Sequence, residues 1–317
     1  MSKLVVSFGE LLWDLLPSGP ELGGAPSNFA YRMHSLGREA IIVSRVGNDD
    51  LGRRALGVLR KKGLNTDYIQ IDPTRPTGTV NVTVSPKGEP DFNIVPNVAY
   101  DFIEFTPELE GLATRAECVC FGTLIQRSEK SRGTLYRFLD MAPSAKKVLD
   151  LNLRKNCYTS DTIQESLRRA DILKLNSNEL VELAGLLQVE KLDPPQDPAN
   201  ELGYFGQMVA HQFDLELCIV TCGADGSLAM KFDEASEGHD HFTTMAPHPS
   251  FPVTVQDTCG SGDAFTAAFM HQYLDGKSIE VCSAYGNALG ALVAARSGGM
   301  APVSINEIER LIRGSSS

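Results

Sequence analysis

Residues 255–265 read VQDTCGSGDAF, and two glycines one residue apart with an aspartate directly behind them are residue types that can handle a phosphoryl group. Phe265, Phe269 and Tyr273 recur every four residues among Ala264, Ala267 and Ala268, so the spacing predicts a helix that opens near Ser261 to Asp263. The apolar Phe251 to Val255 run predicts a strand before it. A helix start exposes unpaired N–H groups and a partial positive charge, and glycines let a ligand approach the backbone. A phosphate fits there. Asp263 would repel a resident phosphate, but it makes sense as the acceptor of a proton from a hydroxyl that attacks one. Taken alone, the stretch is equally a glycine turn whose aspartate favours the helix dipole.

Other nucleotide and hydrolase signatures fail. Gly276-Lys277-Ser278 echoes the end of a P-loop, but His271 stands where the leading glycine belongs. Phe265 occupies the third glycine of a Rossmann fingerprint, and neither GxSxG nor HExxH occurs.

The elements that must position the stretch alternate. Leu4 to Phe8 reads as a strand, Pro26 to Gly37 as a helix, Ala40 to Ser44 as a strand, a helix capped by Asn48 runs to Gly63, and Tyr68 to Ile71 is the next strand. Such alternation predicts a parallel sheet with helices on its faces. Thr79 to Val84 and Asp91 to Val95, joined by Ser85-Pro86-Lys87-Gly88, predict a hairpin, placed in a small β lid over about residues 73–105; an edge hairpin of the main sheet is the alternative. Alternation then resumes with strands at Glu117 to Phe121, Lys147 to Leu151, Asp171 to Leu175 and Leu217 to Thr221, and helices near 131–141, 162–170 and after Asn176. Further strands are predicted at 226–232 and 241–245, and helices from Asp263, from Ile279 to Ala295 and from Ile305. The expected fold is α/β, three layers around a mostly parallel sheet with a small lid, as one domain over 1–317.

Composition narrows the partners. The chain has a formal net charge of -11, which argues against nucleic acid as the main partner, because that binding rests on Lys and Arg neutralising phosphates. The start MSKLVVSFGE has no signal-peptide pattern, and the most apolar long window, Val281 to Ala295, is shorter than the roughly 20 residues of a membrane span. No membrane contact and a cytoplasmic location are expected. Seven cysteines lack zinc spacing and read as small buried hydrophobes, and His239 and His241 as solvated loop residues.

With these motifs in order along the chain, the sequence resembles the ribokinase-like (PfkB) family of carbohydrate kinases. DTCGSGDAF resembles its DTTGAGD motif, with Cys259 and Ser261 as departures; LGGAPSNFA resembles its double-glycine sugar motif, and NSNE, Asn176 to Glu179, its NxxE motif. The resemblance implies Asp263 as catalytic base and the backbone of Gly260, Ser261 and Gly262 as an anion hole. It implies Asp14, Gly23, Gly24 and Asn28 for the sugar, whose vicinal hydroxyls need paired acceptors and donors. Arg154 in DLNLR would contact phosphates, and Thr221, Gly223 and Asn287 the nucleotide. Asn176 and Glu179 would hold the magnesium region through water, and Asp257 a monovalent cation region. As residues alone, Asn176 with Glu179 is also an ordinary helix cap with a first-turn acid, and Asp14 and Asn28 ordinary turn and helix-start residues.

GELLWDLLP, GTVNVTV, PNVAYDFI and GTLIQRSEKSR are most similar to the fructokinases of that family. The resemblance implies ATP and Mg2+, with K+ as a further cofactor, small-molecule sugar and nucleotide as partners, and a homodimer paired through the lid. The expected reaction is phosphorylation of fructose at its primary hydroxyl. A 2-keto-3-deoxygluconate kinase, a ribokinase, a nucleoside kinase and a catalytically silent sugar sensor or scaffold are the alternatives; the keto acid would need a further cation for its carboxylate.

Overall fold

The computed structural model describes residues 4–16, 19–84, 90–189, 198–232 and 242–314. The expected turn at 85–88, His239, His241 and the tail after Gly314 lie outside the described residues. The chain divides into two compact units, residues 1–145 and 146–317.

The first unit contains β1 (Leu4–Phe8), β2 (Leu12–Leu16), β3 (Gly19–Gly23), α1 (Ala25–Ser35), β4 (Glu39–Gly47), α2 (Asp50–Lys61), β5 (Ile69–Asp72), β6 (Gly78–Val84), β7 (Pro90–Ile94), α3 (Pro107–Ala113), β8 (Cys118–Phe121) and α4 (Glu129–Asp140). Strands β8, β1, β4 and β5 lie side by side and all parallel. Their core includes Val5, Phe8, Phe29, Met33, Ile42 and Phe138, with the Phe8 and Phe138 rings 5.5 Å apart. A separate four-stranded sheet runs β3-β2-β6-β7.

That small sheet corrects the expected lid. The hairpin β6–β7 is present and antiparallel, but half the strands come from residues 12–23, outside the expected 73–105. Leu12, Trp13, Asp14 and Leu15 pair with both neighbours, so pairing rather than composition makes β2 a strand. Helix α2 is capped by Asp49, whose carboxylate accepts from Gly52 N at 2.7 Å, and not by Asn48.

The second unit contains β9 (Lys146–Asp150), α5 (Ser160–Leu167), β10 (Ile172–Asn176), α6 (Ser177–Leu186), α7 (Pro198–Phe213), β11 (Leu217–Thr221), β12 (Ser227–Phe232), β13 (Phe242–His248), α8 (Ser261–Leu274), α9 (Ile279–Ala294) and α10 (Ile305–Gly314). Strands β9, β10 and β11 are parallel, and β12 and β13 extend them antiparallel. The Phe265, Phe269 and Tyr273 rings stack in sequence along α8. The predicted strand at Phe251 to Val255 is absent: residues 249–258 are irregular. Pro252 removes a ladder donor from a run of only five residues.

Five cysteines are buried as expected, and burial pushes the Cys218 thiol up to about 12. Cys222 is half-buried and Cys259 exposed, both on glycine-containing turns that leave little side chain to cover them.

Candidate active site

The second unit carries the residues expected at the phosphoryl group. Gly260 caps α8 in the left-handed region (φ 70°), and a Cβ there would stand 2.5 Å from Gly299 Cα. Only glycine satisfies both demands. Ser261 turns its hydroxyl onto Gly290 O of α9 at 3.0 Å, and its own N–H onto Thr258 O at 3.2 Å. The expected three-amide anion hole therefore has Ser261 N–H already engaged. Among the described residues nothing accepts from the N–H groups of Gly260 and Gly262, which remain as the donors of the helix opening. Asp263, half-buried, sits in this first turn.

Asn176 and Glu179 form a reciprocal cap on α6. Asn176 Oδ1 accepts from Glu179 N at 2.9 Å and Glu179 Oε2 from Asn176 N at 2.8 Å. Glu179 Oε1 also accepts from Leu153 N at 2.8 Å, which ties the Arg154 loop to the start of α6. Arg154 itself is exposed, between Asn152 and Asn156, both with positive φ. Asp257 Oδ1 accepts from Cys259 N and Oδ2 from Gly298 N, each at 2.9 Å, so its carboxylate joins two loop segments. Thr221 ends β11, and Gly223 follows it with φ 58° and open space around its Cα. Asn287, expected at the nucleotide, is a buried residue of α9. It is 7% exposed and its amide nitrogen donates to Ser227 Oγ at 2.7 Å and Ser283 O at 2.9 Å, so both amide hydrogens are committed within the protein.

Sequence reading missed a buried cation beneath this region. Lys174, in the middle of the apolar strand ILKLN, is 6% exposed, and its Nζ lies 3.1 and 3.2 Å from the two carboxylate oxygens of Asp150. A Cβ on Gly262 would be 3.3 Å from that Nζ. Burial works against the ammonium charge, but Asp150, Asp263 and Glu179 outweigh it and hold Lys174 above its ordinary value, protonated. Thr266 Oγ1 lies 3.0 Å from both Asp150 Oδ2 and Gly262 O. The available signal was a lysine in a fully apolar strand, which demands a buried partner.

The first unit assembles the sugar-type residues. Asp14 on β2 faces the end of β3, and its Oδ2 occupies space 2.3 Å from where a Gly23 Cβ would be. Gly24 has φ 106°, and a Cβ on it would meet Glu10 O at 2.5 Å. Helix α1 starts on Gly24, with Asn28 N donating to Gly24 O at 3.1 Å and Asn28 buried in the first turn. The four expected sugar residues are thus brought together by β2, β3 and α1. Arg127, in the same unit, is engaged by Asp101 (2.9 Å from Nε), Val95 O and the Tyr100 hydroxyl.

A helix opening with orphan N–H groups and an adjacent carboxylate is an arrangement that can handle a phosphoryl group. The chain belongs to the pfkB family of carbohydrate kinases, whose family model matches residues 20–306. It is 30% identical over 337 residues to fructokinase-1 of Oryza sativa subsp. japonica, an alignment covering 98% of this chain and 97% of that protein. Its fold is similar to a fructokinase with bound ATP from Xylella fastidiosa (TM-score 0.81, 23% identity, all of both chains). It is also similar to a fructokinase double mutant from Vibrio cholerae O395 in a fructose, ADP and potassium ion bound form (TM-score 0.78, 19% identity, 98% of each chain). The ribokinase-like α/β fold, with a mostly parallel sheet and a separate small sheet, is the one expected from the sequence. Among the described residues no helix is long and apolar enough to cross a membrane.

Proposed function

We propose that this carbohydrate kinase is an ATP-dependent fructokinase, which transfers the γ-phosphate of MgATP to the primary hydroxyl of D-fructose and releases ADP and fructose 6-phosphate. The observation that carries the chemistry is Asp263, a half-buried carboxylate in the first turn of a helix whose Gly260 and Gly262 N–H groups stand open. The choice of fructose is supported by the names of the full-length relatives.

In this reading Asp263 accepts the proton of the attacking hydroxyl as the new oxygen–phosphorus bond forms and the bond to the ADP oxygen breaks in line. The N–H groups of Gly260 and Gly262, with Arg154, stabilise charge on the equatorial oxygens. Asp14 and Asn28 orient the sugar hydroxyls, and Gly23 and Gly24 let the ring reach the backbone. Thr221 and Gly223 line the nucleotide, with Asn287 as a buried anchor behind them.

Among the described residues no group of three or more His, Cys, Asp or Glu side chains is arranged to hold a metal ion. The residues present nevertheless fit magnesium, which keeps several waters and takes one or two carboxylates plus substrate phosphates. Asn176 and Glu179 would hold it through water, and bound there it would neutralise phosphate charge. Asp257 would lie at the monovalent cation region, where K+ adds positive charge near the helix opening.

The test is ADP release from MgATP with potassium across fructose, ribose, 2-keto-3-deoxygluconate and adenosine. Fructose-dependent turnover supports the reading. Turnover with a different member keeps the kinase chemistry and displaces the sugar assignment, and absence of turnover with all four removes the fructokinase reading.

A further inference from the structure

We infer that Thr266, held by the buried Asp150–Lys174 pair, is a positioning residue that fixes the opening turn of α8 and with it Asp263. The inference rests on the proposed role of Asp263 and extends it to Thr266 on the same helix and to residues on two strands of the second unit.

Thr266 is fully buried, and its single hydroxyl proton is shared between Asp150 Oδ2 and Gly262 O, each at 3.0 Å. A threonine bonded to the carbonyl four residues back is common and tends to bend a helix. The carboxylate on its other side is unusual. Asp150 ends β9, Lys174 lies within β10, and the ion pair between them is itself buried, with side chains 10% and 8% exposed. A well-packed apolar pair would serve stability as well, since desolvation consumes much of the Coulombic gain. An ion pair gives what apolar packing does not, a directional anchor of fixed geometry. The chain of contacts Lys174, Asp150, Thr266, Gly262 ends one residue before Asp263, and Lys174 Nζ stands 3.3 Å from where a Gly262 Cβ would be. The open N–H of Gly262 and the carboxylate of Asp263 are therefore referenced to the parallel strands rather than to the irregular segment before the helix.

The test compares Thr266→Val, which keeps the volume and loses the hydroxyl, with Thr266→Ser, which keeps the hydroxyl and loses a methyl group. Saturating kcat and sugar KM are measured with MgATP, with Asp263→Asn alongside. The expected result is a kcat loss on the order of tenfold or more in Thr266→Val, because small misplacements of reacting groups are costly, with sugar KM within about twofold. Thr266→Ser should retain kcat within about twofold. Equal kcat in Thr266→Val and the parent overturns the inference, as does an equal loss in both variants, which would mark packing rather than the hydroxyl. Full turnover in Asp263→Asn would instead sink the base assignment, a failure visible separately from the Thr266 pair. If Thr266→Val does not fold, Asp150→Asn/Lys174→Met replaces it: the buried charges are removed together, and recovery of both folding and full kcat overturns the inference.

Discussion

The two units reach precision by different physics. In the first, the sugar-type residues are placed by close contact: the Asp14 carboxylate lies against Gly23, and Gly24 against the Glu10 carbonyl, where any side chain would intrude. In the second, close contact fixes Gly260, but most of the phosphate-type residues are placed by charge and hydrogen bonding, from the Asn176–Glu179 cap to the buried Asp150–Lys174 pair. A neutral sugar offers only shape and hydroxyls to a protein, whereas a phosphoryl group offers charge. Each unit uses the force its proposed ligand can answer.

The contrast can be broken most sharply at Asp263. Asp263→Asn preserves volume and removes the proton acceptor, so kcat should fall by about 10³-fold while sugar KM stays within about threefold. Steady-state ADP release checks it, and loss confined to KM would mean that the residue belongs to binding. Next is Gly260→Ala. The obstacle is Gly299 backbone and the φ of 70° disfavours any side chain, so stability should drop by about 2 kcal/mol or more, read as a urea midpoint.

Gly23→Ala tests the other unit and should behave differently. Its obstacle is the end of the Asp14 side chain, which can swing away, so stability should change by less than about 1 kcal/mol. Sugar KM should nevertheless rise by about tenfold as Asp14 is displaced, with kcat much less affected. A variant with unchanged KM would detach Asp14 from the sugar.

The smallest expected effect concerns acid. Asp72 is buried, which opposes ionisation, but the N–H groups of Thr74 and Arg75, the Thr74 hydroxyl and the Arg45 guanidinium 3.0 Å away outweigh this and hold it at about 2, below the ordinary 3.8. Its stabilisation is fully present above about pH 4 and is lost as pH falls towards 2, roughly 1 to 2 kcal/mol. Urea midpoints across that window should fall less steeply in Asp72→Asn, and parallel slopes would remove Asp72 as the source.

Much of this was legible in residues that act locally. The opening of α8 follows from Gly260 and the four-residue aromatic spacing, and the α6 cap from Asn176 and Glu179, because both depend on neighbours in sequence. The strand β2 was not legible, since Leu12 to Leu15 take their conformation from partners on β3 and on β6 far along the chain. Lys174 and Asp150 were missed for the same reason: 24 residues separate them, and only the parallel pairing of β9 with β10 brings them together. The false strand at Phe251 to Val255 shows the reverse error, hydrophobicity read as pairing where Pro252 interrupts the donors.

Trp13 is the chain's single tryptophan, and it neighbours Asp14 on β2. Its indole is 3% exposed, donates to Leu51 O at 3.0 Å and carries the Arg54 guanidinium over its ring at 4.9 Å. The protein thus has a single tryptophan, next in sequence to the carboxylate proposed for sugar binding and on the opposite face of the strand. If sugar binding shifts β2, a sugar titration without nucleotide would register in emission from that indole, with no label and no coupled enzyme, before any phosphate is transferred.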